Sequence, residues 1–509
     1  MSAADRLDAL TSWHADWSGL RVGVLGLGVT GFAVADTLVE LGARVLVVAS
    51  TAPADQVELL DVIGSGFVRQ DDLSTPPQAL VDLDPELLVV SPGFHPDHPL
   101  LAWAAERGIP LWGDIELAWR LRDKVGEPAD WILVTGTNGK TTTTQLTASI
   151  LAADGVRVAP VGNIGTPVLD AIRDPEGFQT LVVELSSYQL HALPLIGPGA
   201  LHPLASVCLN LADDHLDWHG SADAYRAAKG KVYENTRVAC VYNKDDAATQ
   251  RMVEDADVHE GARAIGFTLG MPGPSDFGLV EDLLVDRAFL ETRRDQALEL
   301  VTLAELRSVG LDAPHLVADV LAASALARAA GVPAPVVREA LLGFRVDHHR
   351  TETVAVADDV RWVDDSKATN PHAAEASLRA FDSVVWIVGG QLKGVEIAPL
   401  VRRHAKRLSA VVLIGTEREP LREAFARHAP AVTLLEASSA DTEGVMPDAV
   451  RLSAGVARPG DTVLLAPSAA SLDQFAGYAD RGRRFAAAVT QFLGGDADGP
   501  EAAHRAPGD

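Results

Sequence analysis

Trp131-Ile-Leu-Val-Thr-Gly-Thr-Asn-Gly-Lys-Thr141 runs from an apolar strand, through a glycine-rich turn, into the polar start of a helix. That order has a physical purpose. Backbone N–H groups at a helix N-terminus cradle phosphate oxygens, a lysine offsets their charge, and a hydroxyl can hold magnesium. Lys140 and Thr141 stand in those positions, and Gly136, Thr137, Asn138, Gly139 and Thr142 complete the loop. The common phosphate loop is Gly-x-x-x-x-Gly-Lys. Here only Thr137 and Asn138 separate the two glycines, and Val134 stands where the first glycine would be.

Outward from this loop, apolar runs of strand length alternate with amphipathic helical stretches, the pattern of parallel sheets wound with helices. A chain of 509 residues is too long for one core and suggests about three domains. In the first, Arg21-Val-Gly-Val-Leu-Gly-Leu-Gly28 leads into a helix from Thr30 to Leu41, then strands from Arg44 to Ala49 and from Leu87 to Val90. The second places strands at Leu181 to Leu185, Ser206 to Leu211 and Val238 to Tyr242, a Pro/Gly-rich surface loop over Gly270 to Gly278, and a helix over His315 to Ala330. The third has strands at Val384 to Val388, Ala410 to Ile414 and Thr462 to Leu465. The boundaries fall at 1–121, 122–346 and 347–493, and residues 494–509 have too little to bury and read as a disordered tail.

Composition narrows the class. The net charge of −27 argues against nucleic-acid or membrane-surface binding. No apolar run could span a bilayer, and the first twenty residues lack the pattern of a secretory signal. Cys208 and Cys240 cannot make a disulfide framework, and the expectation is a cytoplasmic protein.

Further polar residues fall at strand ends. Glu184 closes a strand at the sheet edge where wound α/β folds bind ligands; it suits magnesium, or a helix-cap pairing. Asn210-Leu-Ala-Asp-Asp-His-Leu-Asp-Trp-His219 gathers three Asp and two His in one loop, which is either a ligand cluster or a solvated turn. Gly26-Leu-Gly-Val-Thr-Gly31 fits the dinucleotide pattern, but the strand that should end in a ribose-binding acid ends Val48-Ala-Ser-Thr51. A nicotinamide oxidoreductase, the rival from another class, loses support there.

The loop Gly136-Thr-Asn-Gly-Lys-Thr-Thr142 resembles the ATP loop of the Mur ligases, the cytoplasmic amide ligases of peptidoglycan synthesis, and of the related folylpolyglutamate synthases. The resemblance runs from about Gly23 to Phe485. It implies an N-terminal Rossmann-like domain for a UDP-sugar, a central P-loop ATPase domain with a mainly parallel sheet, and a C-terminal Rossmann-like domain for an amino acid. By resemblance, Lys140, Glu184, His215 and Lys229 are catalytic. Thr141, Glu184, His215 and Lys229 hold two magnesium ions, and Lys229 carries a carbamate. Arg350 and Asp365 join the loop in binding ATP. Val29, Thr30, Ser50, Thr51, Ser91, Asn163, Ser186 and Gln189 match UDP-sugar positions.

Val363-Asp-Asp-Ser-Lys-Ala-Thr-Asn-Pro371, Gly389-Gly-Gln-Leu-Lys393 and Ala466-Pro-Ser-Ala-Ala-Ser-Leu-Asp-Gln-Phe475 look like the branch of the family that adds D-glutamate. Lys367, Thr369, Lys393, Ser471 and Tyr478 then bind that amino acid; otherwise the lysines form a salt-bridge network. The implied reaction joins D-glutamate to UDP-N-acetylmuramoyl-L-alanine through an acyl phosphate, in a monomer whose domains close. Two departures stand out. Leu316 replaces an asparagine that contacts adenine in the family, and near Ala49 this chain lacks the aspartate that relatives carry at the uracil site.

Overall fold

The computed structural model describes residues 3–345, 351–392, 395–438 and 441–495. They form three α/β domains, each built on its own sheet, and group into two compact units: the described residues of 3–211 with 223–345, and those of 212–222 with 351–495.

The first sheet has five parallel strands in the spatial order Gly66–Arg69, Arg44–Ala49, Arg21–Leu25, Leu87–Val90, Leu111–Trp112. The chain reverses direction across the sheet between Arg21–Leu25 and Leu87–Val90, so the loops after these two strands open a crevice at their carboxyl ends. Gly26 and Gly31 fit that crevice for steric reasons. Gly26 has φ +97, and a Cβ on Gly31 would lie 2.1 Å from the Gly26 carbonyl oxygen.

The second sheet has nine strands: Leu298–Thr302, Leu283–Asp286, Asp276–Val280, Arg263–Phe267, Ala239–Asn243, Ala205–Cys208, Asp130–Thr135, Thr180–Glu184 and Val158–Gly162. Its central part is parallel, whereas Leu283–Asp286 pairs antiparallel with both neighbours. The strand Asp130–Thr135 is apolar and almost wholly buried, as a strand covered on both faces must be. Helix Lys140–Ala153 follows the phosphate loop and packs on helix Pro314–Ala329, whose Ala- and Leu-rich body is buried on nearly every side.

The third sheet runs Glu352–Ala357, Val360–Asp364, Thr462–Leu465, Val384–Val388, Leu408–Leu413, Thr433–Glu436, parallel except for the first pair. Val384–Val388 is fully buried and divides two apolar clusters, one on each face.

Three expectations need correction. The surface loop over residues 270–278 holds the start of strand Asp276–Val280, because Phe277 and Gly278 pair with Asp286 and Val285. The strand expected to reach Leu211 ends at Cys208, where the chain turns to meet the phosphate loop. Helix Tyr478–Gly495 carries the chain past the expected start of the tail, and residues 496–509 lie outside the described residues. No helix among the described residues is long and apolar enough to cross a membrane.

Gly31→Ala drives a methyl group into backbone and is expected to destabilise the protein by about 2 kcal/mol or more. A thermal melt should show a clearly lowered midpoint; an unchanged midpoint would contradict the packing described.

Candidate active site

The phosphate loop is held from below by side chains of its own unit. Asn210 does most of this. Its carbonyl oxygen accepts from Thr137 N–H at 2.9 Å, its Oδ1 accepts from Asn138 N–H at 2.9 Å, and its Nδ2 donates to the Asn138 carbonyl at 3.1 Å. The Thr137 hydroxyl lies 3.0 Å from the Tyr225 hydroxyl. Gly136 (φ +150) and Gly139 (φ +83) take backbone conformations open to glycine. Gly139 has a second reason to lack a side chain, because a Cβ there would sit 2.2 Å from Oδ1 of the buried Asp319.

Two lysines converge on one backbone oxygen. Lys140 Nζ donates to the carbonyls of Gly136 and Thr137, each at 2.9 Å. Lys229 Nζ donates to the same Gly136 carbonyl at 2.9 Å and to Thr135 Oγ1 at 3.2 Å, and lies 5.0 Å from the centre of the Tyr225 ring. Lys229 is only 2% exposed, so its amine sits in the protein interior. Beside them, Thr141 Oγ1 donates to Glu184 Oε2 at 2.8 Å, and Asn163 Nδ2 donates to Glu184 Oε1 at 3.1 Å. Glu184 ends its strand, buried, at the carboxyl edge of the second sheet.

A helix N-terminus, two amines, a hydroxyl and a carboxylate thus face one another in one unit. Hard oxygen donors such as Thr141 and Glu184 suit magnesium, and the loop suits phosphate oxygens. Carbon dioxide reacts with an unprotonated amine, and Lys229 places an amine in the interior beside these donors. The donor set therefore fits a magnesium nucleotide and a carbamate.

Ser186 and Gln189 are brought to the same edge as a capping box on helix Ser187–Ala192. Gln189 is buried and its amide is committed internally: Oε1 accepts from Ser186 N–H at 3.0 Å and Nε2 donates to Asp114 Oδ2 at 3.0 Å. Asn163 likewise spends its Nδ2 on Glu184. Val29, Thr30, Ser50, Thr51 and Ser91 gather at the carboxyl ends of three neighbouring strands of the first sheet, and Gly26 leaves room for the Ser91 hydroxyl. Ala49 and Leu316 are buried.

In the other unit, Lys367, Thr369, Ser471 and Tyr478 come from three loop ends tied together by Arg481. This guanidinium is fully buried and donates to Ser366 Oγ at 3.0 Å, the Ser366 carbonyl at 2.8 Å and the Ala469 carbonyl at 3.2 Å. Burial pulls its pKa down to about 9, against the pull of Asp473 and Asp364, so it stays charged at neutral pH. Lys367 Nζ lies 5.0 Å from the centre of the Tyr478 ring. Asp365 accepts from Thr351 N–H at 3.1 Å and from the Ser377 hydroxyl. His215, at the head of the short helix Leu216–His219, has φ +52 and a ring 3.7 Å from Asp214. Arg350 and Lys393 lie outside the described residues.

Three family models cover the chain: a Mur ligase MurD-like N-terminal domain over residues 20–113, a Mur ligase middle domain over 134–278, and a Mur ligase glutamate ligase domain over 349–469. It is 64% identical to the UDP-N-acetylmuramoylalanine--D-glutamate ligase of Leifsonia xyli subsp. xyli, over 99% of each chain. The chain belongs to the Mur ligase family. The Streptomyces avermitilis enzyme of the same name is 53% identical over 93% of this chain and 98% of its own. The Mur ligase fold is seen again in UDP-N-acetylmuramate-alanine ligase MurC of Thermotoga maritima, with a TM-score of 0.56 and 18% identity over 94% of this chain and all of that one. MurF ligase of the same organism, solved with ADP, gives 0.53 and 18% over 96% and 99%.

Sequence reading missed Asn210, Tyr225, Asp319, Asp114 and Arg481. Only Gly139 signalled its neighbour, through a glycine that a crowded turn requires. Asn210→Ala removes two side-chain bonds from the loop and is expected to weaken ADP binding about tenfold, measured by calorimetry. Unchanged affinity would mean the loop keeps its shape without them.

Proposed function

We propose that this chain joins the amine of D-glutamate to the alanyl carboxylate of UDP-N-acetylmuramoyl-L-alanine, with ATP converted to ADP and phosphate, in peptidoglycan precursor synthesis. The observation that carries this is the 64% identity, over 99% of both chains, to a ligase of that name. The site chemistry supports it. Amide formation from a carboxylate is uphill in water, so the acid must first be activated.

The acceptor carboxylate oxygen attacks the γ-phosphorus of ATP, and ADP leaves. The amine of D-glutamate then attacks the acyl carbon, a proton is lost, and phosphate departs with the former carboxylate oxygen. Lys140 and the loop N–H groups offset charge on the transferring phosphoryl group. Bound magnesium supplies further charge neutralisation, and Thr141, Glu184 and a carbamate on Lys229 are the groups we assign to hold it. His215 keeps the metal-ligand role that the resemblance gives it. Val29, Thr30, Ser50, Thr51 and Ser91 take the UDP portion, and Lys367, Thr369, Lys393, Ser471 and Tyr478 the two carboxylates and amine of D-glutamate. Asn163, Ser186 and Gln189 shape the acceptor end, the first and last through their bonds to Glu184 and to the helix cap. Arg350 and Asp365 complete the ATP site.

One substrate falls to each of the domains 1–121, 122–346 and 347–493. The enzyme is read as a cytoplasmic monomer.

ADP release from the full chain, given the UDP-muramoyl-alanine acceptor and D-glutamate, L-glutamate or meso-diaminopimelate in turn, tests the assignment. Turnover is expected with D-glutamate alone. Equal turnover when it is omitted, or preference for meso-diaminopimelate, would contradict it. Lys140→Ala is expected to cut kcat at least a hundredfold in the same assay.

A further inference from the structure

Asp114 begins the helix Asp114–Arg120, which follows the last strand of the first sheet. Its carboxylate is buried, and its partners are Gln189 Nε2 at 3.0 Å and the N–H groups of its own helix start, Asp114 and Ile115. Glu116, two residues along, is turned to Arg120 at 2.8 Å. Asp114 thus reaches out of its helix to helix Ser187–Ala192, which follows strand Thr180–Glu184 of the second sheet.

The bond to Gln189 fixes more than a contact. An ionised carboxylate only accepts, so it holds the Gln189 amide with Nε2 towards Asp114 and Oε1 towards the Ser186 N–H. The opposite orientation would leave that N–H facing an NH2 group. Burial pushes the Asp114 carboxyl up to about 6, which leaves it ionised at pH 8. Ser186 lies two residues beyond Glu184, and the turn between them is clamped on its other side by Asn163, whose N–H donates to the Glu184 carbonyl at 2.9 Å. Glu184, the carboxylate that receives the Thr141 hydroxyl, is paired through its strand with Val134 and Gly162, and the cap on helix Ser187–Ala192 adds a further support to the turn just beyond it.

We propose that Asp114 is a positioning residue for phosphoryl transfer: through Gln189 it holds the turn that carries Glu184, and so ties the first sheet to the reacting edge of the second. This rests on the role given to Glu184 above. Asp114 meets Gln189 and its own helix start rather than the phosphate loop, so its effect is expected on the rate of the chemical step and not on the nucleotide loop.

A charge swap tests it in the full-length enzyme at pH 8. Gln189→Glu sets two carboxylates against each other and is expected to lower kcat at least tenfold. Adding Asp114→Asn restores a donor facing an acceptor, with Ser186 N–H still met by a carboxylate oxygen, and is expected to bring kcat back to within about threefold of wild type. Asp114→Leu is expected to lower kcat at least tenfold, while magnesium-free ADP binding, which reads the loop alone and reports folding, stays within about threefold. Asp114→Asn by itself keeps an acceptor oxygen for Gln189 and retains most of the activity. The proposal is overturned if the double variant is no better than Gln189→Glu, or if Asp114→Leu has wild-type kcat. A wild-type enzyme that releases no ADP with D-glutamate would instead overturn the ligase reading, and this role with it.

Discussion

The carbonyl oxygen of Gly136 is the point on which the site depends. The Nζ atoms of Lys140 and Lys229 both donate to it, each at 2.9 Å, so they lie close together. Two positive charges so placed would repel, and phosphate oxygens beside Lys140, or the anionic carbamate proposed on Lys229, would relieve that. The shortened loop makes the arrangement possible: with only Thr137 and Asn138 between the glycines, the Gly136 carbonyl is exposed to lysines from two different helices.

The supports of this loop are costly groups placed where position matters more than stability. Asp319 crowds the turn so closely that only glycine fits at residue 139. Asp114 is a buried carboxylate whose ionisation is penalised by burial, and Arg481 is a guanidinium met mainly by carbonyls and one hydroxyl. Buried polar groups that are fully hydrogen-bonded can fix a geometry that apolar packing would leave loose. Asp114 and Arg481 do this by joining segments that carry site residues.

The sequence made the strands of the parallel cores legible because a strand buried on both faces is a short unbroken apolar run: Arg44–Ala49, Leu87–Val90, Val384–Val388 and Thr462–Leu465 have the expected bounds. The hairpin strands of the second sheet were not legible. Asp276–Val280 and Leu283–Asp286 are short, hold Gly and Asp, and take their register from pairing with each other. At the site, Lys140, Thr141 and Glu184 have a distinctive chemical type at a strand end or loop that points to a ligand, whereas Lys229 lies on a helix and is singled out only by the family resemblance. Asn210, Asp114, Asp319 and Arg481 could not be read, because their importance lies in a partner distant in sequence. Gln189 was legible as a site residue, but its amide turns inward to Asp114 and Ser186.

The central claim is that one site, built on the Gly136 carbonyl, activates a carboxylate by phosphorylation. The direct measurement uses acceptor labelled with oxygen-18 in its alanyl carboxylate, with mass analysis of the phosphate released during D-glutamate addition. One labelled oxygen in each phosphate is the expected result. Unlabelled phosphate, with amide still formed, would contradict the account.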